Sequence, residues 1–116
     1  MKRRLATTLL RARLARYPAT ALLGMDTGAH FLRTSDGYEI DLLLALGGVT
    51  VAIEIKLSAH ATPQDFARLE RAADLVSAEH RYVVCQTAEP AASGTRGALD
   101  LASAIKRLRN LGRARR

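Results

Sequence analysis

The chain has 116 residues, 48% of them hydrophobic, with one cysteine, no tryptophan and a formal charge of +7. That size suits one small domain, spanning residues 1–116, with a mostly aliphatic core. The lone Cys85 excludes an internal disulfide and suits a reducing compartment, and no apolar run reaches the length of a membrane span.

The first stretch, MKRRLATTLLRARLAR, carries six basic side chains and no acid. It has some likeness to a transit peptide but lacks the apolar region of a signal peptide. Leu5, Leu9 and Ala12, with Leu10 and Leu14 beside them, form an apolar stripe, which predicts a basic helix over residues 2–16. Pro18 ends it, because a residue before proline avoids the helical region. A cytoplasmic, bacterial protein is the expectation.

Residues 18–28 read as a loop, and residues 30–34 as a strand followed by Ser35-Asp36-Gly37 turn chemistry. Two apolar runs, 38–46 and 49–57, flank Gly47-Gly48 and predict a hairpin. Thr62, Pro63 and Asp65 give the cap, first-position proline and capping-box spacing of a helix over 63–79. Residues 81–87 read as a buried strand that returns parallel to an earlier one, since a helix crossover precedes it. Residues 88–97 read as a loop. A last amphipathic helix is expected over 98–111, with Ala98, Leu101, Ala102, Ile105 and Leu108 inward. Six more basic residues and no acid fill 106–116, so two basic ends enclose a middle that holds all eleven acids. That distribution suits a grip on a polyanion such as nucleic acid.

The hairpin holds the chemistry. Strand side chains alternate faces. With a two-residue turn at Gly47-Gly48, Asp41 faces Glu54, and Glu39 faces Lys56, all on one side of the sheet. Tyr38, Ile40, Leu42, Leu44 and Leu46 then share the other side. Like charges in direct opposition destabilise a strand pair, so Asp41 and Glu54 call for a shared proton or a cation. Hard divalent ions such as Mg²⁺ or Mn²⁺ prefer such oxygen ligands. The other candidates are weaker: Cys85 reads as a core thiol, and His30, His60 and His80 lack metal-ligand spacing.

Asp41, twelve residues, then Glu54-Ile55-Lys56 resembles the D…(D/E)xK motif of the PD-(D/E)XK nuclease superfamily. The stretch FLRTSDGYEIDLLLALGGVTVAIEIKLS more closely resembles the C-terminal domain of unknown function (DUF4143-type) found behind AAA-type ATPase modules in prokaryotes. The likeness covers the core, residues 29–87. It implies an α/β fold with an αβββαβ restriction-endonuclease-like core, a mixed sheet and flanking helices, plus a C-terminal helix with a basic tail over 98–116. It implies a metal-dependent nuclease-like domain acting on nucleic-acid phosphodiesters. Mg²⁺ or Mn²⁺ would then bind Asp41, Glu54 and the Ile55 carbonyl, with Lys56 and Glu39 completing the catalytic set. Arg33, Arg3, Arg4, Arg11, Lys106, Arg109 and Arg113 are the candidate nucleic-acid contacts.

The alternative is a non-catalytic nucleic-acid-binding or partner-interaction module that keeps the fold and works with an ATPase. No G-x-x-x-x-G-K-[ST] occurs, so such an ATPase is expected as a separate partner or as a missing N-terminal module. A helical Glu before the strands and a Gln-x-x-x-Tyr element, found in members of the superfamily, are absent from this sequence. A homodimer formed through the first or last helix is a third reading.

Overall fold

The computed structural model describes residues 13–16, 28–33, 37–46 and 48–114. Among the described residues the strands form a seven-stranded mixed sheet in the order β1-β2-β3-β4-β5-β7-β6, flanked by two helices. The strands are β1 (Arg13–Arg16), β2 (Gly28–Arg33), β3 (Glu39–Leu46), β4 (Val49–Ile55), β5 (His80–Val84), β6 (Ala91–Ser93) and β7 (Arg96–Leu99). The helices are α1 (Pro63–Val76) and α2 (Leu101–Ala114).

Strands β2, β3 and β4 pair as consecutive antiparallel neighbours, and β5 runs parallel to β4 after the α1 crossover. Both relations match the expectation. Gly48 takes a φ of +89° beside Val49, the left-handed conformation that a tight hairpin turn needs. It sets the expected register, with Leu46 opposite Val49 and Leu42 opposite Ile53. Thr62 and Asp65 form the expected reciprocal capping box at the start of α1.

Four elements differ from expectation. Residues 13–16, read as the end of a basic helix, form β1 on the free edge of β2. Main-chain bonds on an open sheet edge outweigh a modest helix preference; residues 2–12 of that predicted helix lie outside the described residues. The predicted loop 88–97 contains the β6–β7 hairpin, turned at Gly94 with φ +60°. β7 pairs parallel with β5. The last helix begins at Leu101 rather than residue 98, because Ala98 is used as a strand residue. Leu101 consequently points to solvent, at 58% exposure.

The fourth difference lies inside β3. Its pairing with β2 slips by one between His30 opposite Leu43 and Leu32 opposite Ile40. Asp41 and Leu42 therefore stand against Phe31 alone, which is a β-bulge. The bulge reverses the alternation of the strand. Ile40 packs with the α1 layer, whereas Leu44 and Leu46 pack with the α2 layer. The expected sharing of one face by Tyr38, Ile40, Leu42, Leu44 and Leu46 is thus broken at the bulge.

The core lies in two layers. On one face Leu69, Ala72 and Ala73 of α1 cover Leu32, Ile40, Ala52 and Val83. On the other, Ala104 and Leu108 of α2 cover Leu44, Val51, Ile53, Tyr82 and Leu99. Among the described residues no helix is long and apolar enough to cross a membrane.

Candidate active site

Glu54 follows Ala52 in the alternation of β4, so both side chains turn toward α1. The first turns of α1 bring Asp65 and Arg68 over the same end of the strand. The capping box fixes Asp65: its backbone N–H donates to Thr62 Oγ1 at 3.1 Å, and its Oδ2 accepts the Thr62 N–H at 2.9 Å. The other oxygen, Oδ1, takes two cations, Lys56 Nζ at 3.1 Å and Arg68 Nη2 at 2.8 Å. Asp65 is 3% exposed. The Thr62 backbone bond, first, and the bond to Lys56 hold its carboxyl below the usual range against the opposing effect of burial.

Glu54 has the opposite environment. Its Oε2 is buried and has no hydrogen-bond partner. Arg68 Nη2 approaches to 3.7 Å, close enough for an ion pair and too far for a hydrogen bond. Burial pushes the Glu54 carboxyl up, Arg68 opposes that, and the nearby charges of Asp65 and Asp41 add to the rise.

Asp41 sits in the bulge. The paired register of β3 with β4 ends at Leu42–Ile53, and Asp41 does not continue it as a backbone partner of Glu54. Its side chain takes over instead, Oδ2 accepting the Ile55 N–H at 2.7 Å. The carboxylate thus bridges the point where the β3–β4 ladder stops. On its other side β4 stays tied to β5 beyond that point, Lys56 N–H donating to the Val84 carbonyl at 2.8 Å. The Ile55 side chain is half exposed, at 51%.

Lys56, Glu54 and Asp41 are therefore neighbours, but Glu39 is not among them. The expected Glu39–Lys56 pair does not form: Glu39 pairs with Arg33 Nε at 3.1 Å on an exposed surface, and Lys56 pairs with Asp65. The bulge at Asp41–Leu42 is the physical reason, since it undoes the alternation that would have grouped them. Asp65 and Arg68 complete the cluster instead. Sequence reasoning had Asp65 only as a helix cap, and its position beside Lys56 depends on where the crossover lays α1.

Among the described residues, no three His, Cys, Asp or Glu side chains are grouped to hold a metal ion between them. The donor set nevertheless suits Mg²⁺, which binds through one or two carboxylates and leaves its other positions to water or phosphate oxygens. Glu54 Oε2 is an oxygen without a hydrogen-bond partner, and Asp41 uses one oxygen on the Ile55 N–H.

The candidate nucleic-acid contacts do not converge. Arg3, Arg4 and Arg11 lie outside the described residues. Lys106, Arg109 and Arg113 belong to α2, on the opposite layer from Glu54 and α1. His60 lines an open crevice of about 370 Å³ with Ala61, Cys85, Thr87 and Glu89, beyond the ends of β4 and β5. Cys85 is a buried thiol, 4% exposed, as its reading as a core residue expected.

A family model described as a domain of unknown function (DUF4143) matches residues 11–103. No curated protein matches the chain, and no solved structure does.

Proposed function

The chain belongs to the DUF4143 family of domains of unknown function, and from that premise we propose that it is a metal-dependent nuclease-like domain acting on nucleic-acid phosphodiesters. The observation that carries the reading is Glu54 Oε2, a buried carboxylate oxygen left without a hydrogen bond beside Asp41 and Lys56. Buried polar atoms in folded proteins are nearly always satisfied, so an exception at this spot asks for a ligand. The order β2-β3-β4-α1-β5, with β5 parallel to β4, supports the βββαβ part of a restriction-endonuclease-like core.

Asp41 and Glu54 would hold the cation, with the Ile55 carbonyl as the third protein ligand that the resemblance implies. A bound Mg²⁺ or Mn²⁺ would polarise the phosphodiester and supply a nucleophilic water at neutral pH. Lys56 offers the positive group that stabilises developing charge on the phosphate. Asp65 keeps that ammonium from rotating away, at 3.1 Å. Glu39 is left as a surface partner of Arg33.

A second reading is favoured by a different observation. Both the Asp41–Ile55 bond and the Lys56–Asp65 pair are contacts within the fold. A non-catalytic nucleic-acid-binding or partner-interaction module, associated with an ATPase, would keep them for stability alone. Incubating wild type and Lys56→Ala with plasmid and Mn²⁺ separates the two. Nicking by wild type that Lys56→Ala abolishes is the expected result. Equal nicking by both would assign the activity to a contaminant and remove the nuclease reading. No nicking by either, with Mn²⁺ binding that Asp41→Asn abolishes, would select the module.

A further inference from the structure

We propose that Arg68 is the resident counter-ion of Glu54, and that a divalent cation entering the site must displace it. The inference rests on the nuclease-like reading and assigns a new residue to its metal site. Arg68 has two acidic neighbours of unequal hold. Its Nη2 is hydrogen-bonded to Asp65 Oδ1 at 2.8 Å but stands 3.7 Å from Glu54 Oε2. The first contact is an anchor with full bonding geometry, and the second is an attraction without a bond. The side chain is 51% exposed, so it has solvent to turn into while the Asp65 contact persists. Glu54, 15% exposed in its side chain, has nowhere comparable to go.

In this arrangement the Arg68 guanidinium is the cation paired with the Glu54 carboxylate, at 3.7 Å. It offsets part of the cost of a buried carboxylate. It also repels any other cation that approaches the same oxygen. Lys56, also held by Asp65 Oδ1, is less suited to this role, because its side chain is only 33% exposed and has less solvent to turn into. Arg68 thus sets how tightly the carboxylates hold a metal, while Asp65 keeps the arginine within reach.

Calorimetric titration of the full chain with MnCl₂ at pH 8 reads this directly and needs no turnover. Arg68→Gln is expected to bind Mn²⁺ on the order of tenfold tighter than wild type, because a positive charge a few ångströms from the ion is removed. Arg71→Gln takes the same charge from an exposed site on the same helix and is expected to stay close to wild type. Arg68→Lys, which restores the charge, is expected to return affinity toward wild type. Arg68→Met keeps the aliphatic stem and repeats the test should glutamine upset the fold. Wild-type binding that Arg68→Gln and Arg68→Met leave unchanged or weaken would overturn the role of Arg68 and leave the metal site standing. No Mn²⁺ binding by any of the proteins would overturn both.

Discussion

Two carboxylates a few residues from each other in space are set to titrate in opposite directions. Glu54 binds its proton more tightly in the folded chain than its ordinary 4.5. Ionising it therefore costs folded-state stability, and the cost appears as pH rises from 4.5 through the raised value. Glu54→Gln is expected to be more stable than wild type by about 1 kcal/mol at pH 7. The gap should close below pH 4.5, as urea unfolding at pH 7 and pH 4 would show. Asp65 has the reverse sign, because its folded value lies below the ordinary 3.8. Its stabilisation is present above 3.8 and is lost as pH falls through the lowered value. Asp65→Ala is expected to cost about 1–2 kcal/mol at pH 7 through the lost cap, measured the same way. Asp41 separates charge from hydrogen bonding. Asp41→Asn keeps an oxygen for the Ile55 N–H and should unfold near wild type, whereas Asp41→Ala should lose about 1 kcal/mol. Both should lose Mn²⁺ affinity in the same titration if the carboxylate is a ligand.

Helix and strand ends show where local chemistry decides and where it does not. Ser77 closes α1 with φ +55°, its N–H reaching the Ala73 and Asp74 carbonyls. Glycine adopts that conformation without a Cβ penalty, so Ser77→Gly should raise the unfolding free energy by about 0.5 kcal/mol. Gly97 in β7 is the opposite case. A Cβ there would lie 2.6 Å from the Ala91 oxygen and the Ala92 Cα of β6, both main chain. Gly97→Ala should push β6 off the sheet, lowering the thermal midpoint and exposing Ala91–Ser93 to proteolysis. The same contrast explains what the sequence made legible. The Gly47-Gly48 hairpin and the Thr62–Asp65 capping box are decided by residues a few places apart, and both stand as expected. The bulge at Asp41 is visible only against β2, so Glu39 was grouped with Lys56 on an alternation that the strand does not keep. β6 and β7 are three and four residues long, too short for periodicity to register. β1 is hidden behind a helical stripe because its strand form depends on pairing with β2, which four residues of local pattern do not announce. Arg81 was equally hidden. It is 8% exposed, held by Glu70 and Asp74 of α1, and only the packing of α1 on β5 brings them together.

The candidate site and the candidate polyanion contacts of α2 lie on opposite faces of the sheet. The acidic cluster lies under α1, and Lys106 and Arg113 lie exposed on α2 across the sheet. Polyanion binding and metal binding should therefore vary independently. A Lys106→Ala, Arg113→Ala double variant should lower the slope of log affinity against log salt for duplex DNA by about two. Its Mn²⁺ affinity should stay that of wild type. Salt-independent binding by the wild-type chain would rule out the polyanion grip. β4 occupies the fourth place in the seven-strand order, antiparallel to β3 on one side and parallel to β5 on the other. Val51 and Ala52 within it are fully buried. Amide protons in such a strand exchange with deuterium only when the whole chain opens, while edge strands such as β6 exchange through smaller openings. Glu54 and Lys56 hang from the end of that slowest strand. Whatever ligand settles there is linked to global opening, so its binding should slow deuterium uptake across the entire core and leave the fast edges unchanged.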